Sequence, residues 1–193
     1  MNSSSWRAIF PLGKFLLAVL VGAVGVLALV MPASASPPPP TSLGGLDLGA
    51  YCRSVGYTDA TLSGPTAYDW HCVRDGGERG DVAFDAACRW TYGSEHAVDR
   101  IADFHDPRSV TCWLVQQDVV TPDFTKYCTD SGYSDAALLG DTVYDWHCVQ
   151  YSRAGPTYYA INVAAACTAL THGYARLDRF TDFHNATTWQ CRV

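Results

Sequence analysis

Lysine is almost missing from this 193-residue chain, where Lys14 and Lys126 are the only two, and basic residues total 13 against 19 acidic ones. No basic stripe exists to neutralise a phosphate backbone, so nucleic acid is excluded as a partner, and so is attraction to anionic lipid. Cysteine is present eight times but never as Cys-x-x-Cys, and the nearest neighbours stand 16 residues apart. That spacing speaks against a zinc site. Gly-x-Ser-x-Gly, a phosphate-cradling glycine loop and His-Glu-x-x-His are also lacking, which removes the familiar hydrolase, nucleotide and zinc-protease signatures. Nothing in the sequence calls for a cofactor.

The N-terminus carries Arg7 and Lys14, then an uncharged apolar run from Phe15 to Val30, then Ala33-Ser34-Ala35. This is the pattern of a secretory signal over residues 1–35 with cleavage after Ala35, and 16 apolar residues fall short of the roughly 20 a membrane span needs. An uncleaved membrane anchor is the alternative; once the segment is removed, no membrane association is expected. Removing Arg7 and Lys14 with it leaves 11 basic residues against 19 acidic ones, a net charge of −8. Neutral or cationic partners suit such a surface. Residues 36–45 read as a Pro-rich linker. Export makes disulfides of Cys52, Cys72, Cys88, Cys112, Cys128, Cys148, Cys167 and Cys191.

Those cysteines reveal a duplication. Spacings of 20, 16 and 24 residues in the first half recur as 20, 19 and 24 in the second. With an offset of 76 up to the second cysteine and 79 after it, Tyr68-Asp69-Trp70-His71-Cys72-Val73 falls on Tyr144 to Val149, and Asp99-Arg100 and Asp103-Phe104-His105 fall on Asp178-Arg179 and Asp182-Phe183-His184. The boundaries expected are 46–115 for the first domain, 116–122 for a linker and 123–193 for the second. At about 70 residues each, such domains need their disulfides for stability.

A weaker repeat lies inside each domain. Asp47, Ala83, Asp123 and Asn162 stand five residues before a cysteine, three of them good N-caps, and Gly56, Gly93, Gly132 and Gly173 follow as helix stops. The other cysteines sit in alternating, β-rich segments. Each domain is therefore expected as helix-strand-helix-strand, α+β, with the helices on one face of a short two-stranded sheet and with Ala97 to Phe104 and Ala175 to Phe183 as added helical turns. Four cysteines allow three pairings; the internal symmetry favours Cys52–Cys72, Cys88–Cys112, Cys128–Cys148 and Cys167–Cys191, although pairing of equivalent cysteines is symmetric too.

Four of the six histidines follow an aspartate two residues earlier. If Tyr68 to Val73 is a strand, Tyr68, Trp70 and Cys72 face inward while Asp69 and His71 face out, as do Asp145 and His147 in the second copy. Asp103 with His105 and Asp182 with His184 form the other pairs, with Phe104 and Phe183 as inward anchors. The pairs can serve as scaffold, as a ligand site in which carboxylates and imidazoles bond sugar hydroxyls beside aromatic edges, or as a metal or catalytic site. No catalytic residue is assigned.

Tyr51-Cys52 with Gly56-Tyr57, Trp70-His71-Cys72, Ala86-Ala87-Cys88 and Cys112, repeated as Tyr127-Cys128 through Trp189-Gln190-Cys191, resemble a cysteine-repeat domain of secreted actinobacterial proteins. The resemblance covers residues 46–193 and brings no activity with it. The first copy departs from it at Val110, where the second has Trp189; Trp113 is expected to fill that space. The chain is read as a secreted, noncatalytic binding module that recognises a polysaccharide or another extracellular ligand through two weak repeated sites, each copy binding more weakly alone. A structural or inhibitor-like protein with an extracellular protein partner is the alternative, and a small hydrolase the third reading.

Overall fold

The computed structural model describes residues 38–116, 118–172 and 177–192. The proposed signal segment and Gly173 lie outside them. In the first copy the order is β1 (Thr41–Gly44), α1 (Leu48–Ser54), β2 (Asp59–Leu62), a 3-10 turn (Ala67–Asp69), β3 (Trp70–Val73), β4 (Arg79–Asp81), α2 (Phe84–Tyr92), β5 (Ala97–Ile101) and β6 (Val110–Leu114). The second copy repeats it as β7 (Val119–Val120), α3 (Phe124–Asp130), β8 (Asp135–Leu138), a 3-10 turn (Val143–Asp145), β9 (Trp146–Ser152), β10 (Gly155–Ala160), α4 (Val163–Leu170), β11 (Leu177–Phe180) and β12 (Trp189–Arg192). The fold is α+β, and the strands make four small antiparallel sheets in the orders β2-β3-β4, β1-β6-β5, β8-β9-β10 and β11-β12-β7.

The helices begin where their caps dictate. Asp47, Asp123 and Asn162 each accept a hydrogen bond from the amide three residues on, whereas Ala83, with the same extended backbone, offers nothing. Gly93 ends α2 in the left-handed conformation that glycine adopts at no steric cost. Each helical cysteine then meets a strand cysteine: the four disulfides are Cys52–Cys72, Cys88–Cys112, Cys128–Cys148 and Cys167–Cys191, with Cα separations of 5.3–5.5 Å. Each closes a loop of 20 or 24 residues, for which about 3 kcal/mol of stabilisation is typical. Such bonds persist only in an oxidising environment. Among the described residues no helix is long and apolar enough to cross a membrane.

Three details differ from the sequence reading. The sheets have three strands, because Thr41–Gly44 and Val119–Val120, expected as linker, pair with β6 and β12, and the β4 and β10 hairpin arms pair with β3 and β9. A lone hairpin would leave the disulfide-bearing strand open on one edge, and the extra strand covers it. Ala97–Ile101 and Leu177–Phe180 are strands, not helical turns: Val98 and Ile101, Leu177 and Phe180 are buried, and β-branched Val98 and Ile101 suit a pleated surface. Trp113 packs with Val98, Val115 and Leu177 on another side of the sheet; it does not replace Trp189.

The described residues belong to one compact unit, and the two copies share its main core: Phe84, Ile101, Phe104 and Val110 join Phe124, Val143, Phe180, Phe183 and Trp189. The contacts across the copies come in matched pairs. Phe104 and Phe183 stack face to face at 3.6 Å between centroids. The Phe104 amide donates to the Tyr144 hydroxyl (3.1 Å), and the Phe183 amide donates to the Tyr68 hydroxyl (3.0 Å). Arg100 grips Asp178 through Nε and Nη2 at 3.0–3.2 Å, and Arg179 reaches Asp99 at 2.9 Å. Equivalent residues thus exchange partners, as they would around a two-fold axis running between the stacked phenylalanines.

Candidate functional site

The eight residues of the Asp-x-His pairs divide into two kinds of place. Asp69 and Asp145 do not lie on the strands but in the 3-10 turns that precede them. Asp69 accepts from the Thr66 amide (2.8 Å) and hydroxyl (2.6 Å), and Asp145 accepts identically from Thr142. The threonine hydroxyl, then the threonine amide, hold both carboxyls below their ordinary range. A Cβ on Gly64 or Gly140 would sit 2.6 Å from these carboxylates, which accounts for a glycine at that point in both copies. Alternation from Tyr68 onward predicts a strand there, while Thr66-x-x-Asp69 is a capping-box pattern readable from the sequence.

His71 and His147 occupy the middle strands, where register decides their partners. His71 pairs with Asp81 across β3 and β4, with Nδ1 3.3 Å from the carboxylate. His147 pairs with Ala160, and its Nδ1 lies 3.0 Å from the Asp145 carbonyl instead. Asp103 and Asp182 fold tight turns, each accepting at 2.9 Å from the amide two residues on. Their neighbours Phe104 and Phe183 are buried as expected. His105 and His184 stand edge-on to the stacked pair, with centroids 5.0–6.2 Å from the two rings. The second Asp-x-His of each copy is thereby brought beside that of the other. Among the described residues no three His, Cys, Asp or Glu side chains are grouped to hold a metal ion.

A cleft of about 580 Å³ opens between the copies. One wall is Tyr68 and Trp70; the N-terminus of α2 supplies Ala83, Phe84 and Asp85, β4 supplies Asp81, and β5 supplies Asp99 and Ile101. Arg179, Phe180, Thr181 and Asp182 come from the second copy. Of the eight residues singled out in the sequence only Asp182 lines it. The rest of its chemistry was hidden because it depends on packing between copies.

The cleft floor is an electrostatic junction. Arg179, 5% exposed, contacts Asp99 at 2.9 Å and Asp85 at 3.2 Å, and Arg89 stands 3.7 Å from Asp85. Burial pushes the Asp99 carboxyl up to about 7, against the pull of Arg179. Burial also acts on Asp85, but its hydrogen bond with Asp99 and the Arg179 charge outweigh it and leave that carboxyl below its ordinary value. The two acids therefore share a proton near neutrality, Asp99 being its holder. Arg179 Nε is buried and has no protein acceptor.

The equivalent hollow in the second copy is about 200 Å³ and lacks all of this. Tyr144 and Trp146 repeat the aromatic wall, but Ala160 replaces Asp81 and Ala164 replaces Asp85. Trp189, where the first copy has Val110, lines the hollow and is anchored by its indole N–H donating to the Val143 carbonyl at 2.7 Å. One copy keeps a roomy opening lined by charges; the other keeps a smaller one with no charged lining, bordered by the Trp189 indole. Comparison with protein-family models, with curated proteins and with solved structures returns no match.

Proposed function

We propose that the chain is exported, loses residues 1–35, and acts as a noncatalytic binding module whose cleft between the copies takes a sugar unit of an extracellular polysaccharide. The observation that carries this reading is the asymmetry of the two hollows. A duplicated scaffold that needed only stability would have no reason to keep one opening polar and roomy while the other is small, uncharged and bordered by an indole. A sugar presents apolar C–H faces and hydroxyls that both donate and accept. Tyr68 and Trp70 suit the first, and the carboxylates, as acceptors, suit the second. On this reading one composite site replaces two equal ones, and duplication serves to build its walls.

The test is binding of oxidised residues 36–193 to a panel of bacterial and fungal polysaccharides, alongside Ala83→Trp. Ala83 is exposed at the cleft edge, so the variant plugs the site with the core untouched. Saturable binding by the native chain, lost in the plugged variant, is expected. Binding that survives the plug would move the site elsewhere, and no binding to any polysaccharide would end the saccharide reading.

A further inference from the structure

We infer that the surface each copy turns on the other is a homodimer surface, so that two first copies, or two second copies, pair through it as the fused copies do. The partner that fits the first copy's face is any molecule of this repeat, and its own second half is the one the connection supplies. Nothing in this depends on the saccharide reading.

The union is made by residues that recur in both copies. Along its axis a residue meets its own equivalent: Phe104 stacks on Phe183 with the rings 6° from parallel, and Val98 shares an apolar cluster with Leu177, the residue that follows it by the repeat offset of 79. Away from the axis every contact comes twice. His105 stands 6.0 Å from Phe183, and His184 stands 6.2 Å from Phe104. Tyr144 receives the Phe104 amide as Tyr68 receives that of Phe183, and Arg100 holds Asp178 as Arg179 holds Asp99. A face on which each donor has its acceptor across a two-fold axis on the same face is complementary to itself. Two first copies set on that axis would form the Tyr68–Phe104 bond twice and the Arg100–Asp99 pair twice, and would stack Phe104 on Phe104.

The positions at which the copies differ leave this match intact. Trp189, in place of Val110, donates to Val143 of its own copy. Asp81, in place of Ala160, has an exposed side chain whose partner is His71 of its own copy. Asp85 does reach across, to Arg179 at 3.2 Å; in a pair of first copies Arg100 stands in that place, while the second copy has Ala164 and forgoes the contact. All four disulfides close within one copy. The chain between β6 and β7 is thus the covalent tie that enforces the mixed pairing.

The experiment takes oxidised residues 36–193 with a protease recognition sequence placed between Leu114 and Val119, at about pH 8 so that the carboxylates are ionised. Cut but not unfolded, the protein should keep the size of the uncut chain; release of two separate halves overturns the inference. The cut protein is then unfolded in guanidinium with its disulfides kept, and refolded by dilution beside the uncut chain. Native mass spectrometry is expected to show first–second, first–first and second–second pairs, each self-pair at no less than about a tenth of the mixed pair. Arg100→Asp, which sets a carboxylate against Asp99 twice in a first–first pair, should lower that pair by at least about tenfold and leave second–second pairs as they were. Mixed pairs alone, halves that stay single while the uncut chain refolds, or a first–first yield indifferent to Arg100→Asp each overturn it.

Discussion

At the residue scale, Asp99 governs how the molecule answers to pH. Its folded carboxyl titrates near 7, above the value of an unfolded aspartate, because burial disfavours its charged form. A raised carboxyl binds its proton more tightly in the folded state, so its contribution is full below about pH 4 and disappears as pH rises through about 7. Asp85 acts in the opposite sense: its lowered carboxyl contributes above the ordinary aspartate range and loses that contribution on acidification below it. Melting temperature followed from pH 4.5 to pH 8 should therefore fall through this junction, and Asp99→Asn, which stays neutral throughout, should flatten the profile. A variant profile as steep as the native one would assign the effect to another group. None of this was legible at Asp99 itself, which in the sequence is one half of an Asp-Arg dipeptide; only the arrival of Arg179 from 80 residues away makes it a buried pair. Asp69 was misplaced for a simpler reason. Alternation continues through Tyr68 to Val73 in sequence while the backbone at Asp69 is a threonine-capped turn, so the carboxylate ties down Thr66 instead of standing on an open strand face.

Among the elements, α2 is the one that starts without a side-chain cap, although Ala83 has the backbone angles of the other three caps. Its position explains the exception, because Ala83 borders the cleft and a polar side chain there would reach into the opening. Ala83→Asn, copying Asn162 of the equivalent helix, should stabilise the protein by about 1 kcal/mol in chemical denaturation. The cap positions and the helix stops at Gly56, Gly93 and Gly132 were legible in the sequence, for each is fixed by local chemistry; the helix-to-strand disulfides were favoured by the internal symmetry, which pairing of equivalent cysteines would have satisfied as well. The third strands were not. Thr41–Gly44 follows a run of prolines, and Val119–Val120 is two residues long; both become strands only because β6 and β12 offer them an unpaired edge.

For the whole molecule, the matched exchange of partners predicts that the copies unfold together. Phe104→Ala and Phe183→Ala should each cost about 3–5 kcal/mol, as deletion of a buried phenylalanine does. Combined, they should fall short of additivity by about 1 kcal/mol, the coupling of a stacked aromatic pair. Two separate transitions in the native chain, or strict additivity, would mean that the stack does not couple the copies. The sequence announced the duplication through its cysteines but not this union, because the residues that make it, Tyr68, Arg100, Phe104 and their equivalents, read within one copy as ordinary core and surface. The union also changes what counts as a transferable part. Arg179 belongs by sequence to the second copy and by position to the cleft beside the first, so a change made there is felt in both at once. Neither copy can be cut out and grafted elsewhere with the cleft complete, and neither can drift on its own without the other recording it: the smallest piece of this protein that can be inherited, borrowed or redesigned intact is the pair.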